Sequence, residues 1–183
     1  MVDAMAADSA RNDELILVDL MDREVGSASK ERAHFDGILH RAFSVVLTQG
    51  EGDERQILLS KRALCKYHSG GLWTNSCCSH PRKGERVLEA AKRRLPEELG
   101  VVSNDLCEIG SFAYRAAFNN GIVEFEYDHV LIGTCSGEFD LDPTEVSDVR
   151  WVGVEELVQE YTLHPEEFSA WAPMVFSMVL QDW

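Results

Sequence analysis

The stretch from Gly84 to Leu99 constrains the fold of this chain more than any other. Leu88, Ala91, Leu95 and Leu99 recur at helical spacing on one face, and Gly100 follows where helices commonly end. Pro96 is the irregularity. Inside a helix it removes one hydrogen bond and crowds the carbonyl of Lys92, which predicts a kink or a last turn that restarts there. On both sides of this helix the pattern changes. Leu15–Asp19, Ala42–Thr48 and Gln56–Ser60 read as strands before it; Ile109–Ala116, Ile122–Thr134 and Val149–Val152 read as strands after it. Gln49–Glu54, with two glycines and three acids, turns the second strand into the third, and Asn119-Asn120-Gly121 closes another hairpin. Leu64–Gly71 is a loop broken by Ser69-Gly70-Gly71. Val154–Tyr161 reads as a helix and Pro165–Leu180 as mostly helical. Strands that come in hairpins, not in βαβ alternation, make this an α+β chain and disfavour a doubly wound sheet.

A length of 183 residues suits one core, and no repeat or low-complexity linker divides it. Residues 1–13 read as a flexible polar tail and residues 14–183 as a single domain. The tail lacks the basic and apolar stretches of a secretory signal, and no apolar run approaches the roughly 20 residues of a membrane span. A cytoplasmic protein is expected. The net charge of −15 argues against nucleic acid as a partner, although a local basic cluster can still hold a small anion. Five cysteines, at 65, 77, 78, 107 and 135, include no CxxC pair, so neither a zinc ribbon nor a disulfide framework is expected. Cys107 and Cys135 sit among apolar neighbours and read as small buried residues.

The chemistry concentrates in Trp73–Pro81, WTNSCCSHP. A thiol there can act as nucleophile, acid/base or metal ligand, and a nearby histidine as ligand or proton carrier. If the segment is extended, Ser76, Cys78 and His80 point one way and Cys77 the other. Further on, Glu124 and Glu126 lie two apart on a strand and share a face, with Phe125 and Tyr127 on the opposite one. Paired carboxylates with histidines form a site for a hard or borderline divalent ion.

Together with RRLPEELG (Arg93–Gly100), GIVEFEYD (Gly121–Asp128) and FSAW (Phe168–Trp171), this segment resembles the type 1 isopentenyl-diphosphate isomerases, a branch of the Nudix superfamily. The resemblance runs from about Leu15 to Trp171 and implies a Nudix fold, mixed sheets flanked by helices. The Nudix box G-x5-E-x7-R-E-U-x-E-E-x-G-U, with U aliphatic, falls on Ser79–Val101. Glu85, Arg93, Leu95, Glu97, Glu98, Gly100 and Val101 match it; Ser79 replaces its first glycine and Arg94 the glutamate after Arg93. A cation at that position weakens a multi-metal hydrolytic centre by charge repulsion and offers a guanidinium to a diphosphate.

The resemblance implies that isopentenyl diphosphate is isomerised to dimethylallyl diphosphate, with Cys78 and Glu126 as proton-transfer groups, Tyr114 on the carboxyl and Trp171 stabilising the cationic intermediate. It implies a divalent site of His34, His40, His80, Glu124 and Glu126, for Mn²⁺, Mg²⁺ or Zn²⁺. It places the diphosphate on Lys30, Arg62, Lys66 and Arg94, with Mg²⁺ at Glu98. His68, His129 and His164 receive no role; ordinary surface or core placement is expected. A monomer acting on a small molecule is the reading. Its rivals are a Nudix hydrolase of a nucleoside or other diphosphate, and a metal-binding module without turnover.

Overall fold

The computed structural model describes residues 14–181; the polar tail proposed for residues 1–13 lies outside them. Among the described residues the elements run β1 (Glu14–Val18), β2 (Glu24–Ser29), α1 (Lys30–Asp36), β3 (His40–Gln49), β4 (Gln56–Arg62), β5 (Trp73–Thr74), β6 (Cys77–Ser79), α2 (Val87–Leu99), β7 (Cys107–Ala117), β8 (Val123–Gly133), β9 (Val146–Gly153), α3 (Val154–Leu163) and α4 (Ala172–Gln181). The α+β reading holds.

Strand β3 is the axis of the molecule. Along one edge it pairs in parallel with β8, from His40 against Glu126 to Leu47 against Gly133, and β7 continues antiparallel on β8. Its other edge is shared by three strands in turn. β1 pairs at His40, β6 at Phe43–Val45, and β4 only at Thr48 and Gln49. The expected β3–β4 hairpin therefore closes at its turn and then opens, because β4 leaves to pair with β9 and β5. Ser76 fills the resulting cleft: its hydroxyl accepts from the Leu47 N–H at 2.8 Å and donates to the Leu58 carbonyl at 2.7 Å.

The alternation of β3 builds two cores. Phe43, Val45 and Leu47 pack with Leu131, Leu58 and the Ala91, Leu95 and Leu99 face of α2. Val46 and Val130 pack on the opposite side with Trp171 and the Val175, Phe176 and Val179 face of α4. Fully buried aliphatic side chains contribute roughly 1.5–3 kcal/mol each, so these faces fix the helices more firmly than any single hydrogen bond does. Helix α2 remains one helix through Pro96 to Leu99, since the proline stands near its end and removes a single bond; Gly100, at φ 74°, closes it.

The structure adds two elements that no periodic sequence pattern marked. β2 and α1 are regular; α1 is capped by Ser29, whose hydroxyl accepts from Arg32 N, and ended by Gly37 at φ 61°. The segment 165–180 is mostly helical, as expected, with a break: after a 3-10 turn at Pro165–Glu167 the chain is extended at Phe168 and bridges to Trp73 before α4 begins. Against expectation Cys107 is exposed, because it opens β7, an edge strand.

Candidate functional site

Strand β8 carries the densest charge. Its alternation buries Glu124, Glu126 and Asp128 on one face, while Phe125 and Tyr127 pack on Ile16, Val18 and Leu39. Three buried carboxylates in a row are costly unless each is compensated or protonated. Around them stand His34 from α1, His40 at the start of β3, and His80 just after β6. With Glu124 and Glu126 these histidines offer five ligand atoms, all within 4.8 Å of one another.

The donor set fits a divalent ion. The Nδ1 of His34 donates to the Lys30 carbonyl at 2.6 Å and that of His40 to the Ile38 carbonyl at 2.8 Å, which leaves Nε2 of each ring facing inward. Among the described residues, buried Nε2 of His40 has no hydrogen-bond partner and lies 3.6 Å from Glu126 Oε1; Glu124 Oε2 is equally buried and unpartnered. A lone pair turned toward a carboxylate, beside an orphaned carboxylate oxygen, is an arrangement that a cation completes. A proton partly stands in: burial opposes charge on His34, but the Glu124 carboxylate outweighs it and raises His34 above its usual value. Burial holds His80 down to about 4, although its Nε2 lies 2.8 Å from Glu126 Oε1.

The three carboxyls separate electrostatically. Burial raises each, yet His34 and His68 draw Glu124 well below the ordinary value. At Glu126, burial and the Glu124 charge are outweighed by the His40 and His80 rings beside it, and the carboxyl is lowered. Among the described residues Asp128 has only the Ser44 hydroxyl, at 2.8 Å; burial and the Glu126 charge push it well above the carboxylate range. Tyr114, from β7 opposite Glu126, donates its hydroxyl to Glu126 Oε2 at 2.5 Å.

Cys78 stands across β3 from β8. Its Sγ lies 3.0 Å from Asn75 Oδ1 and accepts from Trp171 Nε1 at 3.1 Å. Burial, then the charge of Asp128, pushes this thiol up to about 12. Cys77 points to the other face, into the core against α2, as the alternation requires. Ser76 departs from the expected alignment with Cys78 and His80, because its hydroxyl is spent on the β3–β4 cleft. The Thr-Asn-Ser run is thus a clamp: Asn75 Nδ2 donates to the Val45 and Cys77 carbonyls, and Ser60 Oγ to the Asn75 carbonyl. Trp171 is brought to the thiol by the break before α4, where Ser169 donates its N–H to the Trp73 carbonyl and its hydroxyl to Thr74 Oγ1.

The basic candidates divide into three places. The Arg62 guanidinium lies over the Trp171 ring at 5.1 Å, and Lys30 Nζ over Tyr67 at 5.3 Å. Arg94 is buried and pairs with Glu98 at 2.7 Å, Glu97 at 2.8 Å and Glu145 at 3.1 Å; Lys66 reaches Glu145 at 2.6 Å. Glu98 is buried beside them, on the α2 side of β6 next to Cys77, and burial raises its carboxyl against the pull of Arg94. Glu85 and Arg93 of the box form a separate clamp, with bonds of 2.8 and 2.9 Å.

Sequence reasoning missed His68, Asp128 and Glu145. His68 is no ordinary core histidine: its Nε2 lies 2.5 Å from Glu124 Oε1. His129 joins Glu108 and Asp22 instead, and His164 is exposed as expected. Asp128 could have been found, since it continues the period-2 face of Glu124 and Glu126. A loop histidine and Glu145 carried no periodic signal.

A mixed sheet of this topology, with the Glu85–Val101 box carried on α2, defines a Nudix protein, and the comparisons agree. The NUDIX domain family matches residues 38–172. A protein of Deinococcus radiodurans superposes with a TM-score of 0.67 at 20% identity, covering 88% of this chain and 96% of that one. A MutT NUDIX hydrolase from Burkholderia pseudomallei gives 0.60 at 19%, covering 77% and 98%. These share the fold. Closer in sequence is an isopentenyl-diphosphate Delta-isomerase of Serratia proteamaculans, 46% identical over 168 residues, 92% of this chain and 89% of that protein. Another, from Photobacterium profundum, is 44% identical over 173 residues, 93% and 96% of the two chains. The chain belongs to the Nudix superfamily and, within it, to the type 1 isopentenyl-diphosphate isomerases.

Proposed function

We propose that this protein converts isopentenyl diphosphate to dimethylallyl diphosphate by moving a proton onto one end of the alkene and removing another two carbons away. The observation that carries the reading is the pairing of a half-buried thiol and a buried carboxyl, Cys78 and Glu126, on opposite sides of β3, under Trp171 and Tyr114. An allylic proton shift needs one group to give a proton and another to take one, each within reach of its carbon.

The two groups differ strongly in proton affinity. Cys78 holds its proton up to about 12, while Glu126 sits below the ordinary carboxyl value. The form with the proton on Glu126 and a thiolate on Cys78 is therefore the minor one, and it sets a strong acid against a strong base. Tyr114 steadies the Glu126 carboxyl in either form, and the Trp171 N–H steadies the thiolate. The Trp171 ring offers π density to the developing cation, worth about 2 kcal/mol once water is excluded. A divalent ion on His34, His40, His80, Glu124 and Glu126 supplies positive charge that lowers the proton affinity of Glu126. Lys30, Arg62, Lys66 and Arg94 hold the diphosphate, with Mg²⁺ on Glu98, and so keep a labile allylic diphosphate from leaving. Lys66 and Arg94 reach it by sharing or releasing Glu145. The enzyme works as a cytoplasmic monomer, with residues 14–183 as its folded unit.

Proton NMR of isopentenyl diphosphate with the protein and Mg²⁺ in D₂O tests the reading directly. Deuterium entry and the dimethylallyl product are expected from the natural chain, and neither from Cys78→Ala or Glu126→Gln. Near-normal turnover in either variant would sink the assignment of that residue.

A further inference from the structure

His68 lies outside the five-ligand set yet is bound to it. It is 7% exposed, in the loop between β4 and β5, and its Nε2 meets Glu124 Oε1 at 2.5 Å. We propose that His68 is a positioning residue that fixes the Glu124 carboxylate so that its free oxygen faces the divalent ion. This rests on reading His34, His40, His80, Glu124 and Glu126 as a metal centre.

Glu124 has few other donors. His34 Nε2 is 3.1 Å from the same oxygen, but His34 gives its Nδ1 proton to the Lys30 carbonyl. Once an ion takes His34 Nε2, that ring has no proton left for Glu124. His68 can supply one without changing charge. Its Nε2 faces a carboxylate oxygen, which only accepts, so the neutral ring carries its proton on Nε2, and Nδ1 is then free to accept from the Ser69 hydroxyl 3.2 Å away. The ring is held in that attitude. It stacks on Phe118 with centroids 4.6 Å apart, and Tyr67 meets it edge-on at 4.6 Å. Its backbone is held as well: Arg62 donates to the His68 carbonyl at 3.4 Å, and Ser69 takes a left-handed φ of 51°. With Oε1 anchored, Oε2 is the buried oxygen with no partner among the described residues. A hydrogen bond that aims a ligand in this way commonly governs metal affinity by about 10–100-fold.

The test is Mn²⁺ binding to metal-stripped protein by equilibrium dialysis, for the natural chain and three variants. His68→Ala and His68→Phe should weaken binding by about 10–100-fold. His68→Gln, whose amide can donate to Glu124, should recover most of the loss. Because His68→Phe retains a ring against Phe118, a loss of affinity at unchanged melting temperature separates aiming from folding. Natural affinity in His68→Phe overturns the proposal, and so does a His68→Gln variant as weak as His68→Phe. Failure of the isomerase reading is distinguishable, since it appears as absent allylic turnover in natural protein that still binds Mn²⁺. Natural protein that takes up no Mn²⁺ overturns the proposal together with the metal centre.

Discussion

Cys77 and Cys78 are neighbours in the chain with opposite surroundings. Cys77 is sealed in the apolar core, and burial pushes its thiol well above the ordinary value. Cys78 is half-buried, and it faces Asn75, Trp171, Ser44 and, through Ser44, the Asp128 carboxyl. Its thiol, raised from 9.0 to about 12, is almost wholly protonated at neutral pH. At pH 8 about one Cys78 in 10⁴ is thiolate, against about one in ten for a thiol at the ordinary value, and the thiolate is the species that alkylates. Iodoacetamide at pH 8 should therefore mark the exposed Cys65 and Cys107 long before Cys78. Because the thiolate fraction grows tenfold per pH unit below the pKa, Cys78 labelling should keep rising through pH 10. Peptide mass mapping over time checks both; Cys78 labelled as fast as Cys65 at pH 8 would mean a thiol that burial has not raised. A nucleophilic cysteine is normally tuned the other way, so this environment suits a group that exchanges a proton.

At the scale of elements, what holds the site is the way β3 shares one edge among three strands. Where β4 turns away, the Leu47 N–H and the Leu58 carbonyl lose each other and are rejoined through Ser76. Ser76→Ala leaves both buried groups without this partner. A loss of about 1–3 kcal/mol is expected for such an unmet group, seen as a lower urea midpoint at an unchanged slope. A midpoint equal to that of the natural chain would show that the cleft closes without the hydroxyl. This cleft also marks how far the sequence could be read. The Glu124/Glu126 face was legible because period-2 burial is a property of one strand, and the α2 face because Leu88 to Leu99 repeat within one helix. The β3–β4 splay was not legible, since it follows from which strand each residue pairs with. Helix α1 was hidden by its polar composition, KERAHFD, although Ser29 before it and Gly37 after it are cap signals. The motif resemblance supplied His34, and the helix explains how it reaches the cluster: Ala33 and His34 are its buried face.

The whole molecule carries a net charge of −15 and still buries three carboxyls along one strand. Two different effects of divalent cations on stability follow. Any cation screens the surface repulsion of an acidic protein, whether or not it enters a site. An ion held by the His34, His40, His80, Glu124 and Glu126 set stabilises only the folded chain, by RT ln(1 + [L]/Kd), which is about 2.7 kcal/mol at a hundred times Kd. For a chain of this length that corresponds to a rise of about 5–10 °C in melting temperature. Scanning fluorimetry of metal-stripped protein against Mn²⁺, at ionic strength held constant with NaCl, isolates the second effect. The rise should saturate in the natural chain and vanish in His80→Ala, which removes an imidazole without touching Glu124. A shift of equal size in His80→Ala would assign it to screening and would remove this cluster as the ion's seat. No shift at millimolar Mn²⁺ would mean that the five side chains hold no ion tightly enough to matter to the fold. The orphaned Nε2 of His40 and Oε2 of Glu124 argue against that outcome, because a folded chain that left both unmet would forfeit about 1–3 kcal/mol at each.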